Sequence, residues 1–368
     1  MHLEQQIRAA AQRLGFQRCG FARAATAPHA AFVRRWIAEG NAAEMAYIER
    51  GLARRLHPEL LLSELRTIIS GGFRYLPPPL PPVDWRAQLR GRIAAYALGD
   101  DYHLVVAHKL EQLAAAITAL DSRTVVKPYV DTGPVLERDW AASAGVGWFG
   151  KNTNILHTQD GSYFFLGELL TNLELEADAP AADHCGTCTR CLDLCPTGAL
   201  RPGYQLDARV CISYLTIEHR GSIPAALRPQ IGNWIFGCDV CQEVCPWNDK
   251  LLQREPVPDS AELLPYLPQL LRMSDEDFRA RFRHSAVRRA KRDGLVRNVA
   301  VALGNTGNPA AVAPLSEALR ADPSPLVRAH VAWALGAIGG AAARAALAAA
   351  HRSEAAAPVR AEITTALG

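Results

Sequence analysis

Eight of the nine cysteines fall into two spaced sets: Cys185, Cys188, Cys191 and Cys195 followed by Pro196, then Cys211, Cys238, Cys241 and Cys245 followed by Pro246. Thiolates two or three residues apart on a tight turn can converge on one iron-sulfur cubane. In two-cluster ferredoxins the cysteine just before the proline ligates the other cluster. The pattern therefore assigns Cys185, Cys188, Cys191 and Cys245 to one 4Fe-4S cluster, and Cys195, Cys211, Cys238 and Cys241 to a second. The second set departs from a simple tandem, because Cys211 stands far upstream of Cys238, and an inserted helix and loop are expected between them. Two sets of four thiolates also suit structural zinc, although zinc leaves both Cys-Pro pairs unexplained. Disulfides are disfavoured, since the first twenty residues are Ala/Arg-rich and lack a secretory apolar core. Cys19 stands alone and reads as a small buried apolar residue.

The elements around these sets follow from length and pattern. At 368 residues, two or three domains with their own cores are expected. No apolar stretch approaches the 18 residues a membrane span needs, and a cytoplasmic protein is expected. Charge is uneven: residues 251–368 carry a net +4 and residues 1–250 a net −1. The C-terminal third repeats at a period of 32, aligning Leu295, Val327 and Val359, then Leu303 and Leu335, then Gly304 and Gly336. Apolar residues at helical spacing closed by glycine predict helices with C-terminal stops, stacked in a short HEAT-like array. Just before it lies the densest basic stretch, Arg279, Arg281, Arg283, Arg288, Arg289, Lys291, Arg292 and Arg297. A charge run alone is often a solvated helix face; beside a helical repeat and a redox module it favours nucleic-acid phosphate.

The N-terminal region mixes helical spacing (Ile7, Ala11, Leu14; Leu110, Leu113, Ile117, Leu120) with strand-like runs at 66–73, 123–130 and 162–170. It has no dinucleotide fingerprint and no phosphate loop. Two glycine-rich turns, VDTGPVLER at 130–138 and SAGVGWFGKNTNI at 143–155, offer backbone that a large ligand could approach. Prolines at 76–82, Pro180, Pro256, Pro258, Pro265 and Pro268 mark surface loops and linkers.

Taken in order, VDTGPVLERDWAASAGVGWFGKNTNI, GSYFFLGELL, CGTCTRCLDLCPTGAL, CISYLTIE, GCDVCQEVCPWN and HSAVRRAKRDGLVRN resemble the epoxyqueuosine reductases of the queuosine tRNA-modification pathway, over most of the chain. The resemblance implies an α+β multidomain protein: an α/β cobalamin-binding domain over 1–178, a ferredoxin-like 4Fe-4S module over 179–255, and basic helices with a HEAT-like repeat over 256–368 that bind tRNA. It implies an oxidoreductase that reduces the epoxide of epoxyqueuosine at the wobble position, using cobalamin recharged by the two clusters. Asp131 corresponds to the family's proton donor, and desolvation against a corrin face would raise its pKa. Cobalamin contacts are expected from Arg54, Arg55, Asp131, Asn154, Ile155, His157, Ser213 and Asp239, with no protein ligand below the cobalt. For the anticodon stem-loop of the tRNA, Arg288, Arg289, Lys291, Arg292 and Arg297 are expected on phosphates and Arg220 near the loop, with Trp148, Phe149 and Trp234 as candidates to hold the flipped base. An external electron donor and a monomer are also expected. The alternatives are a cobalamin/iron-sulfur reductase of a small organic substrate, dehalogenase-like, which needs neither the basic stretch nor the repeat, and a non-enzymatic electron-transfer ferredoxin module, which predicts clusters without a cobalt cofactor.

Overall fold

Residues 67–74 and 164–171 are β-branched, aromatic and leucine-rich with glycine between, and they form the two central strands of a four-stranded sheet in the computed structural model, which describes residues 2–80, 82–253 and 263–368. The linker prolines Pro256 and Pro258, and the boundary near 255, lie outside the described residues. The chain divides into two units, each assembled from three stretches of sequence: Met1–Pro77, Gly99–Arg209 and Val240–Arg254 form the first, and Pro78–Leu98, Val210–Asp239 and Glu255–Gly368 the second.

In the first unit, helix α1 (Leu3–Arg13), strands β1 (Arg18–Arg23) and β2 (Thr67–Arg74), helix α2 (Tyr102–Thr118), strand β3 (Val126–Tyr129), helix α3 (Glu137–Ser143) and strand β4 (Phe164–Thr171) follow in order. The sheet runs β1-β2-β4-β3, and every neighbouring pair is antiparallel. An antiparallel sheet with helices packed on it makes this unit α+β; the parallel crossovers that an α/β label implies are not its plan. Side chains alternate across the strands with period two. Phe21, Ile69 and Leu169 face α1 and α2, meeting Ile7, Ala11, Val106, Leu110, Leu113 and Ile117. Their neighbours Ala22, Ile68 and Leu170 face the other way, onto Trp140 and Ala141 of α3. Leu110 is 1% exposed, and truncating such a side chain to alanine costs about 2–5 kcal/mol. The sheet thereby fixes the end of β3 and the start of α3, between which the turn at 130–136 is strung.

The second unit contains helix α4 (Lys291–Thr306), α5 (Val312–Ala321), α6 (Pro325–Ile338), α7 (Gly340–Ser353) and α8 (Ala357–Leu367). α4 is buried nearly all round, with Leu295, Val299 and Leu303 fully inaccessible. The repeating glycines at 304 and 336 turn out not to be helix stops, since α4 continues to Thr306 and α6 to Ile338. A Cβ at Gly304 would stand 2.8 Å from the Trp333 ring, and one at Gly336 2.7 Å from Ala366 Cβ. The period therefore records close helix approach, and the stops are Gly307 and Gly339, both at positive φ. Among the described residues no helix is long and apolar enough to cross a membrane.

Candidate active site and cluster loops

Asp131 sits immediately beyond β3 in a left-handed backbone conformation, φ +35°, which costs a non-glycine residue about 1–2 kcal/mol. Its N–H donates to Glu137 Oε1 at the start of α3. Arg55 steadies the turn from outside, its Nη1 donating to the carbonyls of Gly133 (3.1 Å) and Val135 (3.4 Å). The Asp131 side chain keeps 53% of its surface accessible. Its Oδ2 accepts from the Tyr102 hydroxyl at 2.6 Å and lies 2.9 Å from His103 Nε2. The other ring nitrogen, His103 Nδ1, lies 2.7 Å from Asp101 Oδ1, and Asp101 caps α2 by accepting the His103 N–H. The Tyr102 ring is stacked on Phe165 at 4.4 Å and on His103 at 4.0 Å, so its hydroxyl is held in place by packing.

An imidazole between two carboxylates is fully hydrogen-bonded only when both nitrogens carry protons. Burial works against the His103 charge, but the hydrogen bonds to Asp131 and Asp101 outweigh it and hold its pKa above the usual value. Burial would push the Asp131 carboxyl up, yet the hydrogen bonds from His103 and Tyr102, with the charges of His103 and Arg138, bring it below the usual carboxylate range. In the protein's own field the two shifts favour the charged forms of both His103 and Asp131. Asp101, Tyr102 and His103 were not found by sequence reasoning. Their signal is the run DDYH, an N-cap aspartate followed by two hydrogen-bonding rings in the first turn of a helix.

The other residues expected around a corrinoid are placed as follows. Arg54 is exposed on the short helix Leu52–Leu56. Asn154 donates its N–H to Asn152 Oδ1 and accepts from the Gly150 N–H. The Ile155 side chain belongs to the core beneath α3, so only its backbone is free to meet a ligand. His157 Nδ1 accepts from the Gln159 N–H and lies 3.4 Å from Asp160; burial and Arg18 lower its pKa. Ser213 is on the helix Ile212–Ile217, and the Asp239 carboxylate, buried, accepts the Ala95 N–H at 2.6 Å. The glycines of 143–155 have an internal purpose: a Cβ at Gly147 would fall 2.2 Å from the Leu156 carbonyl oxygen, across the short hairpin of Trp148–Phe149 with Ile155–Leu156.

In the first unit the helix Arg190–Asp193, bearing Cys191, packs on the helix Val240–Glu243, bearing Cys241. Burial pushes the Cys191 thiol up to about 11, and the charges that add to this are those of Cys245, Cys185 and Cys188. These four are the set that the spacing assigned to the first cluster. Lys151 Nζ donates to the carbonyls of Gly186 (2.7 Å) and Cys188 (2.9 Å), bracing their loop. Trp148, 3% exposed, packs with Cys185, Cys245 and Trp247 as cluster-loop core and is not an open platform for a base. Phe149 meets the His29 ring edge-on at 5.0 Å. In the second unit, Cys211 stands just before the helix Ile212–Ile217, and Cys238 follows the strand Trp234–Phe236 that this helix packs against. Trp234 is buried under Arg92, whose guanidinium lies 4.1 Å from the ring centroid. Cys19 is a thiol pushed up to about 12 by burial, an inert packing residue as expected.

The basic stretch divides in two. Arg297 is fully inaccessible and donates to the carbonyls of Leu215, His219 and Gly221 and to Asn298 Oδ1. Arg292, 7% exposed, is paired with Asp322 and donates to the Met273 carbonyl. Neither can reach a phosphate, which corrects two of the expected contacts; their donors are consumed inside the fold. Arg220 donates to the carbonyls of Ile217, Arg289 and Ala290, and Arg289 forks onto Glu218 at 2.7 and 2.8 Å. Lys291 is exposed at φ +62°. Arg288 lines an open groove with Arg279, Arg283, Ala280 and Glu276.

Three family models match the chain: "Epoxyqueuosine reductase QueG, DUF1730" over residues 55–132, "4Fe-4S double cluster binding domain" over 184–248, and "HEAT repeats" over 284–368. Curated epoxyqueuosine reductases of Xanthomonas campestris and Pseudomonas aeruginosa are 42% and 43% identical over 332 and 339 residues, covering 88% and 89% of this chain and 93% and 92% of theirs. An epoxyqueuosine reductase crystallised with an epoxyqueuosine-modified tRNA stem loop superposes with a TM-score of 0.89 at 33% identity, covering 99% of this chain and 98% of that one. The Bacillus subtilis enzyme, described with its catalytic loop swung out of the active site, superposes at 0.90 with the same coverage and identity. With an antiparallel α+β unit, a double-cluster module and a helical repeat all in place, this chain belongs to the epoxyqueuosine reductase family.

Proposed function

We propose that this oxidoreductase converts epoxyqueuosine to queuosine in tRNA with Asp131 as the group that protonates the departing oxygen. The reaction consumes two electrons and two protons per epoxide: two C–O bonds break, a C=C bond forms and water leaves. The observation that carries the reading is the His103 ring held between Asp101 and Asp131, with Asp131 half accessible and Tyr102 on the same oxygen. Asp131 Oδ2 takes a proton from His103 Nε2 and passes it to the oxygen, and His103, reprotonated from solvent, supplies the second by the same route, while Asp101 keeps the ring oriented throughout. Stacking on Phe165 holds Tyr102 against the carboxylate, so that the donor geometry is set before substrate arrives.

Two kinds of cofactor go with this reading. The four thiolates Cys185, Cys188, Cys191 and Cys245 are assigned to one 4Fe-4S cluster, Cys185 and Cys245 meeting in one core with Trp148. Cys195, Cys211, Cys238 and Cys241 are assigned to the second from their spacing alone. For cobalamin one observation fits: beside the Asp131 turn the buried Arg55 Nε has no hydrogen-bond partner, and Arg54 on the same short helix is exposed, leaving cationic donors for corrin amide or phosphate groups. Asn154, His157, Ser213 and Asp239, and the backbone of Ile155, complete the proposed contacts. When bound, the clusters supply single electrons at low potential and the corrinoid delivers them to the epoxide. Residues 1–178, 179–255 and 256–368 divide the labour in this reading, with the helical segment and its exposed arginines taking the anticodon stem-loop. An external donor reduces the clusters, and the protein acts as a monomer.

The test is anaerobic reconstitution with iron, sulfide and a corrinoid, followed by reductant and epoxyqueuosine-bearing tRNA, with the nucleoside identified by mass. Asp131→Asn should lower turnover by about 10²–10⁴-fold while iron content and corrinoid absorption stay as in the parent. A near-normal rate for that variant, or full turnover without a corrinoid, would overturn the assignment.

A further inference from the structure

Asp131 must be kept in a conformation that its own Cβ disfavours, and one side chain holds its backbone directly. Arg55 binds carbonyls two and four residues further on, and Tyr102 and His103 bind the carboxylate. Glu137 accepts the Asp131 N–H itself, closing the turn from the first residue of α3. Glu168 of β4 lies behind it, in register with Ser70 on one side and Tyr129 on the other. Glu168 is fully inaccessible, and neither of its oxygens has a hydrogen-bond partner, nor does Ser70 Oγ. A buried carboxylate without partners is untenable as an anion. Glu168 is therefore neutral, held so first by burial and then by the neighbouring Glu137 carboxyl. Burial, then the charge of Asp131, pushes Glu137 up to about 8. Around neutral pH the two glutamates are an uncharged acid pair beneath an anion.

We propose that Glu137, backed by Glu168, is the positioning residue that latches the Asp131 turn: its carbonyl oxygen fixes the left-handed Asp131 backbone and so aims the carboxylate at the reacting oxygen. The inference rests on the reading of Asp131 as proton donor. An uncharged Glu137 keeps a carbonyl oxygen on the Asp131 N–H, and an uncharged Glu168 behind it adds no second negative charge beneath the Asp131 carboxylate. An ionised pair would repel the Asp131 carboxylate a few residues away and loosen the turn.

Three variants test it in the reconstituted holoenzyme: Glu137→Gln, which keeps an acceptor oxygen, Glu137→Ala, which removes it, and Glu168→Gln. Glu137→Ala should lower kcat by about 100-fold, the scale of a small misplacement of a catalytic group, with KM for tRNA and the bound-corrinoid spectrum unchanged. Glu137→Gln should restore kcat to within about threefold, since the N–H bond is remade. Amide exchange in the 130–136 segment should quicken about tenfold in the alanine variant alone, the equivalent of losing one hydrogen bond. The parent's rate should fall as pH rises through about 8; Glu137→Gln, which has no carboxyl there to ionise, should lack that alkaline limb, and Glu168→Gln should retain it. A near-parent kcat in Glu137→Ala, a glutamine variant as slow as the alanine one, or unchanged exchange would each overturn the proposal. Fast exchange in Glu137→Ala together with a full rate in Asp131→Asn would separate the two ideas: the latch stands as the turn's anchor and Asp131 leaves the chemistry.

Discussion

The turn at Asp131 and the first two turns of α4 both concentrate charge, and they treat it in opposite ways. Arg292 and Arg297 are sealed in, with their donors spent on Asp322, Asn298 and main-chain carbonyls. Asp131 is left half accessible, shares its proton with a histidine and sits on strained backbone. Charge used for architecture is buried and saturated; charge used for chemistry is reachable and coupled to a titrating neighbour. The same sequence signal, a cluster of ionisable residues, precedes both.

The sharpest break of this contrast is at Arg297. Replacing it by methionine leaves three carbonyls and Asn298 without their donor, so a loss of about 3–5 kcal/mol in denaturant unfolding is expected, with folding failure at the upper end. Arg297→Lys, a single ammonium in place of a fork, should recover only part of it. A loss under about 1 kcal/mol would mean that the buried guanidinium is not structural and would dissolve the comparison.

At the Asp131 end the effect moves to rate and pH. His103→Gln preserves hydrogen bonding but cannot hold a proton, and kcat should drop by about 10–100-fold with little change in melting temperature. The sign of the pH dependence follows from the two shifts. His103 has a raised pKa and Asp131 a lowered one, so the ion pair is complete between the depressed carboxyl value and the elevated imidazole value. Proton supply, and the stability the pair contributes, is full below the ordinary imidazole value of about 6.5 and is lost as pH rises through the raised one; on the acid side it is lost as pH falls through the lowered Asp131 value. A parent profile with no histidine-dependent limb, or one that survives in His103→Gln, would contradict the relay.

How much of this was legible in the sequence depends on whether a signal is local. The cysteine sets are read from spacing because ligation imposes it, and strands 66–73 and 162–170 because a strand covered on both faces needs a short apolar run. The role of glycine was misread at 304, 336 and 147: each contact partner (Trp333, Ala366, Leu156) is supplied by another element, and spacing cannot show what a missing Cβ makes room for. Arg292 and Arg297 failed for the same reason, since Asp322 and the carbonyls at 215–221 are remote in sequence. DDYH was passed over because its function exists only once α2 brings His103 to Asp131, some thirty residues downstream.

The smallest expected effect divides the basic stretch once more. Arg288 lines an open groove with Arg279 and Arg283, its Nη1 engaged only with the Arg283 carbonyl at 3.1 Å, whereas Arg289 is forked onto Glu218. A guanidinium already paired must give up a carboxylate before it can take a phosphate, and the exchange releases little. Arg288→Ala should therefore lower the slope of log affinity against log salt for a tRNA stem-loop by about 0.7–0.9, the value of one neutralised phosphate, and Arg289→Ala by much less. The same alanine substitution at Arg279 or Arg283 should resemble Arg288→Ala, because the three line one groove. Equal slopes for the Arg288 and Arg289 variants would show that the Glu218 pair opens on binding, and would move Arg289 from the saturated class of charge to the reachable one.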